Sequence, residues 1–139
     1  MTVVSGERRF AAPRERVFAL LVDPDVIAAA MPAVRDVEVA DADHWQAKVK
    51  PPLAFTPSIT VRFEVVDRRP PEHASLRAHG GGADVRSTFD LAEDGDGTLM
   101  RWRTELELSG ILGRLAGSGL DGIAERQARR TLDEVTRRL

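Results

Sequence analysis

Two periodicities meet near the end of this chain. From Thr98 to Leu108 apolar and polar positions alternate, with Met100, Trp102, Thr104 and Leu106 on one side and Arg101, Arg103, Glu105 and Glu107 on the other. That two-residue repeat is the mark of a strand with one dry face. From Ser118 to Leu139 the repeat lengthens to three and four residues, and Leu120, Ile123, Ala124, Gln127, Thr131, Leu132 and Val135 fall on one stripe. This predicts a long amphipathic helix that folds back onto the preceding sheet. Glu125 with Arg129, Asp133 with Arg137 and Glu134 with Arg138 are spaced as solvent-side pairs, and Ser118 with Asp121 resembles a capping box. Before that cap, Gly110, Gly113, Gly117 and Gly119 each weaken a helix by about 1 kcal/mol relative to alanine, so the segment reads as a hinge or gate.

The same reading extends upstream. Val4 to Ala11 is a first strand, and Pro13 opens a short helix with Val17, Phe18, Leu20 and Leu21 as its apolar stripe. Asp23-Pro24 supplies an N-cap and a proline at the first helical position, and a second short helix runs through Ile27 to Met31 until Pro32 stops it. Strands follow at Val34–Ala40, His44–Lys50, Ser58–Asp67, His73–His79, Asp84–Leu91 and Thr98–Leu108. They are separated by Ala40-Asp41-Ala42-Asp43, Arg69-Pro70-Pro71-Glu72, Gly80-Gly81-Gly82 and Asp94-Gly95-Asp96-Gly97, all turn-forming. Trp45, Ala47 and Val49 alternate against Gln46, Lys48 and Lys50, and Ile59, Val61, Phe63 and Val65 against Thr60, Arg62 and Glu64. The prediction is an α+β fold occupying residues 1–139 as one domain: a seven-stranded antiparallel curved sheet, read as a meander, with two short helices after strand one. The long C-terminal helix crosses the dry face and encloses an apolar space.

Composition narrows what such a space can do. A formal net charge of -2, with basic and acidic residues interleaved, excludes the concentrated positive stripe that nucleic acid requires. With no cysteine there is no disulfide, thiolate nucleophile or Cys-ligated metal. Glu7, Arg8 and Arg9 stand where a secretory signal would be apolar, and no stretch approaches the length of a membrane span. The expected location is the cytoplasm, with peripheral contact at the inner face of the cell membrane left open.

Candidate chemistry is sparse. Parity puts His44, His73 and His79 with the charged residues, away from any carboxylate in the pocket, and their spacing does not form a metal site. Ser87 and Thr104 face the apolar side without a base beside either, so they read as hydrogen-bonding lining. Gly80-Gly81-Gly82 joins two strands and opens no helix, which makes it a flexible hairpin rather than a phosphate loop. Gly113 and Gly117 are spaced like a helix-packing pair, but Arg114 and Asp121 exclude a transmembrane face. Trp45, Phe63, Phe89, Met100 and Trp102 divide between core and pocket lining, which parity alone does not separate. Gln127, an amide on the buried stripe, costs about 1–3 kcal/mol without a partner; a ligand carbonyl, a water or Thr104 are the alternatives.

The order strand, two short helices, six strands and long helix resembles the helix-grip fold of the START/SRPBCC superfamily. Within it the chain is most similar to the CoxG family, which is associated with carbon monoxide dehydrogenase. The resemblance is carried by Phe10-Ala11-Ala12-Pro13 with Val17-Phe18 and Leu20-Leu21, by Asp23-Pro24 and Met31-Pro32, and by Gly80 to Ala83. Gly97-Thr98 with Trp102, and Ser109-Gly110-Ile111-Leu112-Gly113, complete it. Pro32-Ala33-Val34 stands where that family usually has Pro-Gly-Cys.

The resemblance implies a non-enzymatic container for a hydrophobic small molecule, lipid or quinone-like, with no cofactor or metal of its own. The implied partner is a CO dehydrogenase or related molybdenum hydroxylase, which the protein would help to mature, recruit to the membrane or supply with quinone. On this reading Trp45, Phe63, Phe89, Met100, Trp102, Leu120 and Ile123 line the cavity, Ser87, Thr104 and Gln127 orient the ligand, and the glycine segment admits it. Two other readings stay open: a polyketide cyclase or aromatase-like enzyme of the same fold, and a protein-binding adaptor with a filled core.

Overall fold

Alternation along the chain resolves into one antiparallel sheet. In the computed structural model, residues 1–31, 33–50, 57–116 and 119–139 are described. The strands are β1 (Thr2–Phe10), β2 (Val34–Asp41), β3 (His44–Val49), β4 (Ile59–Arg69), β5 (His73–Gly80), β6 (Ala83–Asp94) and β7 (Gly97–Leu108). The helices are α1 (Arg14–Leu21), α2 (Pro24–Ala30), α3 (Gly110–Ala116) and α4 (Leu120–Arg138). Strand order is β1-β7-β6-β5-β4-β3-β2. The meander therefore holds only from β2 to β7. β1 pairs with β7, in a register that sets Gly6 opposite Trp102 and Phe10 opposite Thr98, and α1 and α2 carry the chain from one sheet edge to the other.

Local chemistry explains the element ends. Asp23 caps α2, its side chain accepting from the Asp25 N–H at 2.9 Å, and Pro24 occupies the first turn; Pro32 lies outside the described residues. The β5–β6 hairpin turns through Gly81 and Gly82 at φ 59° and 91°, the two positive values that a type I′ turn needs. It is not the loose loop expected from three glycines. A Cβ at Gly80 would lie 2.1 Å from the Thr60 carbonyl oxygen, at Gly81 2.7 Å from Ile59, and at Gly82 2.5 Å from the Ser109 carbonyl oxygen. The glycines are thus a close-packed seam between the hairpin, the start of β4 and the end of β7.

The glycine segment after β7 also differs from expectation, because Gly110–Ala116 forms a helix. Leu112, only 4% exposed, anchors it, which offsets the unfavourable glycine propensity. Gly117 and Ser118 lie outside the described residues. The N-cap of α4 is Gly119, at φ 95° and with no side-chain cap; the expected capping box falls on Ser118, outside the described residues.

On α4, Asp133 reaches across to Arg8 on β1 at 2.6 Å instead of pairing with Arg137. Glu134 is buried rather than solvent-facing, and it accepts from both Arg137 and Arg138, the latter at 2.8 Å. Those two guanidiniums hold its carboxyl down at about 2.

Two apolar clusters result. The larger joins α1, α2 and the C-terminal half of α4 to the sheet through Phe10, Val17, Phe18, Val26, Phe89, Met100, Leu132 and Val135. In it Phe18 meets Phe89 edge-on at 5.8 Å. The smaller gathers Trp45, Ala47, Val49, Val61 and Phe63 at the β3–β4 end, with Trp45 stacked on Phe63 at 3.8 Å.

Candidate functional site: the cleft under helix α4

At the edges of these clusters, where Leu76 and Trp102 pack against the larger and Ala78 against the smaller, the inner face of the sheet is less tightly covered. Leu76 and Ala78 on β5, Val85 and Ser87 on β6, and Trp102, Thr104 and Leu106 on β7 belong to strands in the middle of the sheet, on the face that α4 crosses. All seven are half-buried rather than buried. On α4, Leu120, Ile123 and Gln127 are also half-buried. The reason lies in how α4 is supported: its principal contacts are with α2, β1 and α1, at the margins of the sheet, rather than with β4, β5 or β6. Apolar side chains that face inward and remain partly accessible mark a candidate cleft.

The ten residues expected to line the site separate accordingly. Ser87, Trp102 and Thr104 are half-buried on the inner face of β6 and β7, and Leu120, Ile123 and Gln127 are half-buried on α4. Phe89 and Met100 are each 4% exposed, within the larger cluster, and Trp45 and Phe63 stack in the smaller one. Leu76, Ala78, Val85 and Leu106 are additional cleft residues. Register could have found them: Leu76 stands opposite Ser87, and Val85 opposite both Ala78 and Leu106.

Ser87 and Thr104, directly opposed on β6 and β7, share a hydrogen bond of 2.9 Å. The Trp102 indole lies flat across Gly6, where an added Cβ would come within 3.0 Å of the ring, so glycine at that point of β1 makes room for the cleft wall. Gln127 has a structural partner that its place on the apolar stripe does not announce. Its Nε2 donates to the carbonyl oxygen of Ala30 at 3.1 Å, tying α4 to the last turn of α2, with a longer contact to Thr131 at 3.4 Å.

The polar face carries the histidines. His44 lies 2.9 Å from Asp41 and 3.7 Å from Glu64. The hydrogen bond that its Nδ1–H donates to the Asp41 carboxylate raises its pKa above the ordinary histidine value, and the Asp41 carboxyl is lowered in turn. His73 Nδ1 meets Asp90 at 2.8 Å, while Nε2 is 3.4 Å from Ser75 Oγ and 3.5 Å from Asp67. Serine, imidazole and carboxylate in sequence suggest an activated nucleophile. However, Asp67 competes for Nε2, and the flanking strands are engaged in the β4–β5 and β5–β6 ladders, which leaves no donor pair for an oxyanion.

Arg77 and Asp84 bridge β5 and β6 on this face at 3.1 Å. Two open grooves lie apart from the cleft. One of about 450 Å³ runs along β2–β4 and includes Trp45, Phe63, His44 and His79, and one of about 310 Å³ lies between α1 and Pro70-Pro71. Among the described residues no cluster of three His, Cys, Asp or Glu side chains is placed to hold a metal ion, and no helix is long and apolar enough to cross a membrane.

Comparison with known proteins supports this fold. The family model described as "Polyketide cyclase / dehydrase and lipid transport" matches residues 1–139. A conserved protein from Geobacillus kaustophilus has a similar structure, with a TM-score of 0.80 at 19% identity over 99% of this chain and 94% of that one. A START superfamily protein from Mycobacterium smegmatis superposes with a TM-score of 0.63 at 16% identity, covering 94% of this chain and 97% of its own. At these identities the likeness is one of fold. No curated protein matches the sequence significantly.

Proposed function

Because this chain belongs to the polyketide cyclase/dehydrase and lipid-transport family, we propose that it is a non-enzymatic carrier. It holds a hydrophobic small molecule, lipid or quinone-like, in the cleft between the central strands and α4. The observation that carries this reading is the set of half-buried apolar side chains on the inner face of β5, β6 and β7, with a single hydroxyl pair among them. Desolvation of those side chains and of the ligand supplies the affinity, and the hydroxyls and the shape of the cleft set the orientation.

A cyclase-type enzyme would need an acid or base beside the bound chain. The described cleft residues on β5, β6 and β7 offer only hydroxyls that lack a neighbouring base, which favours the carrier. A filled-core adaptor would leave no reason for so many inward-facing apolar groups to stay accessible.

The sequence resemblance to the CoxG family extends the proposal. The carrier would serve a CO dehydrogenase or related molybdenum hydroxylase, maturing it, recruiting it to the membrane or delivering quinone, with peripheral contact at the cytoplasmic face. Support for this extension is the motif set from Phe10-Ala11-Ala12-Pro13 to Ser109-Gly110-Ile111-Leu112-Gly113.

Native mass spectrometry of the purified protein, followed by organic extraction, tests the carrier. A stoichiometric lipid or isoprenoid quinone is expected, and a bare protein that also fails to take up a neutral apolar dye such as Nile red overturns it. The extension is tested separately, by whether the protein co-purifies with a molybdenum hydroxylase from the cells that produce it.

A further inference from the structure

We infer that the cleft selects uncharged ligands whose polar end is a hydrogen-bond acceptor, such as a ketone, ester or quinone carbonyl, and discriminates against fatty-acid anions. This rests on the carrier reading and specifies its ligand class.

Few donors are free at this site. Ser87 and Thr104 each carry one O–H and two acceptor lone pairs. Their mutual bond of 2.9 Å consumes one O–H whichever side donates. One hydroxyl hydrogen therefore remains, and it belongs to a pair set among half-buried apolar neighbours, with Leu76 opposite Ser87 and Trp102 two residues from Thr104 on the same face. The backbone groups of β6 and β7 at this level are engaged in their shared ladder. A ligand acceptor is the partner that completes the pair, and burial without one leaves a desolvated donor unpaired.

Charge narrows the ligand class further. Inward-facing residues of β5, β6 and β7 around this pair are all uncharged. Among the described residues two cations of the sheet stand on this face at its margins: Arg8 on the edge strand β1, taken by Asp133 at 2.6 Å, and Arg68 at the far end of β4, opposite Ala74 and taken by Asp43 at 2.7 Å. On α4, Arg137 and Arg138 are held by Glu134. Arg126, Arg129 and Arg130 of α4 are exposed to solvent, so a carboxylate placed beside the hydroxyl pair would leave water with no inward-facing cation on β5, β6 or β7 to receive it, and would bind there only by taking up a proton. A carbonyl of the same chain length gains the hydroxyl hydrogen bond and carries no such penalty.

Matched ligands separate the possibilities. 2-Dodecanone and dodecanoate have similar chains and differ in charge at the polar end; binding is followed by tryptophan fluorescence and by displacement of Nile red at pH 8, where the acid is ionised. The ketone should bind at least about tenfold more tightly, and the gap should narrow toward pH 5 as the acid is protonated. Removing both hydroxyls together, Ser87→Ala with Thr104→Val, should weaken the ketone by about two- to tenfold, the value of one hydrogen bond, while the affinity for diphenylhexatriene, a hydrocarbon probe with no acceptor, and the urea midpoint change little. Dodecanoate binding as tightly as the ketone at pH 8, or a double variant that retains full ketone affinity, overturns the ligand-class inference and leaves the carrier standing. Failure of ketone and Nile red alike to bind the unmodified protein overturns the carrier itself.

Discussion

Gly81 and Gly95 offer a controlled comparison. Both open two-residue hairpin turns at positive φ, 59° and 61°, although Gly82 continues at positive φ and Asp96 does not; alanine at either position meets a positive-φ penalty of about 1–2 kcal/mol, partly offset by the smaller entropy of the unfolded chain. They differ in space. A Cβ at Gly95 meets nothing within 4 Å, whereas one at Gly81 would lie 2.7 Å from both Cβ and Cγ2 of Ile59. Carbon atoms pack comfortably at about 3.5–4.0 Å, so the overlap at Gly81 is close to an ångström. Ile59 cannot rotate away, because its Cβ is fixed to the backbone and its branched side chain is stiff at χ1. The start of β4 must move instead, and overpacking of that kind costs about 1–3 kcal/mol. Gly95→Ala should therefore destabilise by about 1 kcal/mol and Gly81→Ala by about 2–4 kcal/mol. Urea unfolding reads the difference directly, as a midpoint lower by roughly 1 M for Gly81→Ala at an unchanged slope. Equal midpoints for the two variants would refute the close seam between the β5–β6 hairpin and β4, and with it the rigid end of the cleft.

Three further outcomes follow from the packing of α4. Val135 is fully buried, and Val135→Ala removes two carbons and leaves a void, so it should cost about 2–3 kcal/mol in denaturant unfolding. Gln127→Leu removes the bond to the Ala30 carbonyl and should destabilise by about 1 kcal/mol; an unchanged or raised midpoint would show that the α2–α4 tie is not formed in solution. Glu134 is lowered from 4.5 to about 2 in the folded chain. Its contribution is complete above about pH 4.5 and is lost as pH falls toward 2, and Glu134→Gln should flatten the acid limb of the stability profile over that window.

Legibility of this fold follows from how local its signals are. Alternation in β7, with Met100, Trp102 and Thr104 against Arg101, Arg103 and Glu105, needs no tertiary information, and neither does the Asp23-Pro24 start of α2. Features decided by distant partners were not legible. β1 pairs with β7 rather than with its sequence neighbour β2, because α1 and α2 span the sheet. Asp133 chooses Arg8, which is remote in sequence, over an arginine one helical turn away. Gly110–Ala116 becomes helical because Leu112 has somewhere to be buried, which outweighs glycine's intrinsic cost.

The cleft shows the same limit at finer grain. Parity assigns Phe89, Trp102 and Thr104 to a single face, yet Phe89 is sealed against Phe18 while Trp102 and Thr104 remain partly accessible. What separates them is the placement of α4, and that is set at its ends. Arg8–Asp133 holds the helix to β1, and the Gln127 amide holds it to Ala30 on α2. With the helix held to the sheet edge and to α2, the middle of β5, β6 and β7 receives less cover, and the side chains that protrude there are the ones left half-buried. A core can be read from one strand at a time; a cleft is the remainder when two elements are held apart by a third. Sequence therefore identifies the face that forms the container, and the clamps on α4 determine which residues of that face a ligand can reach.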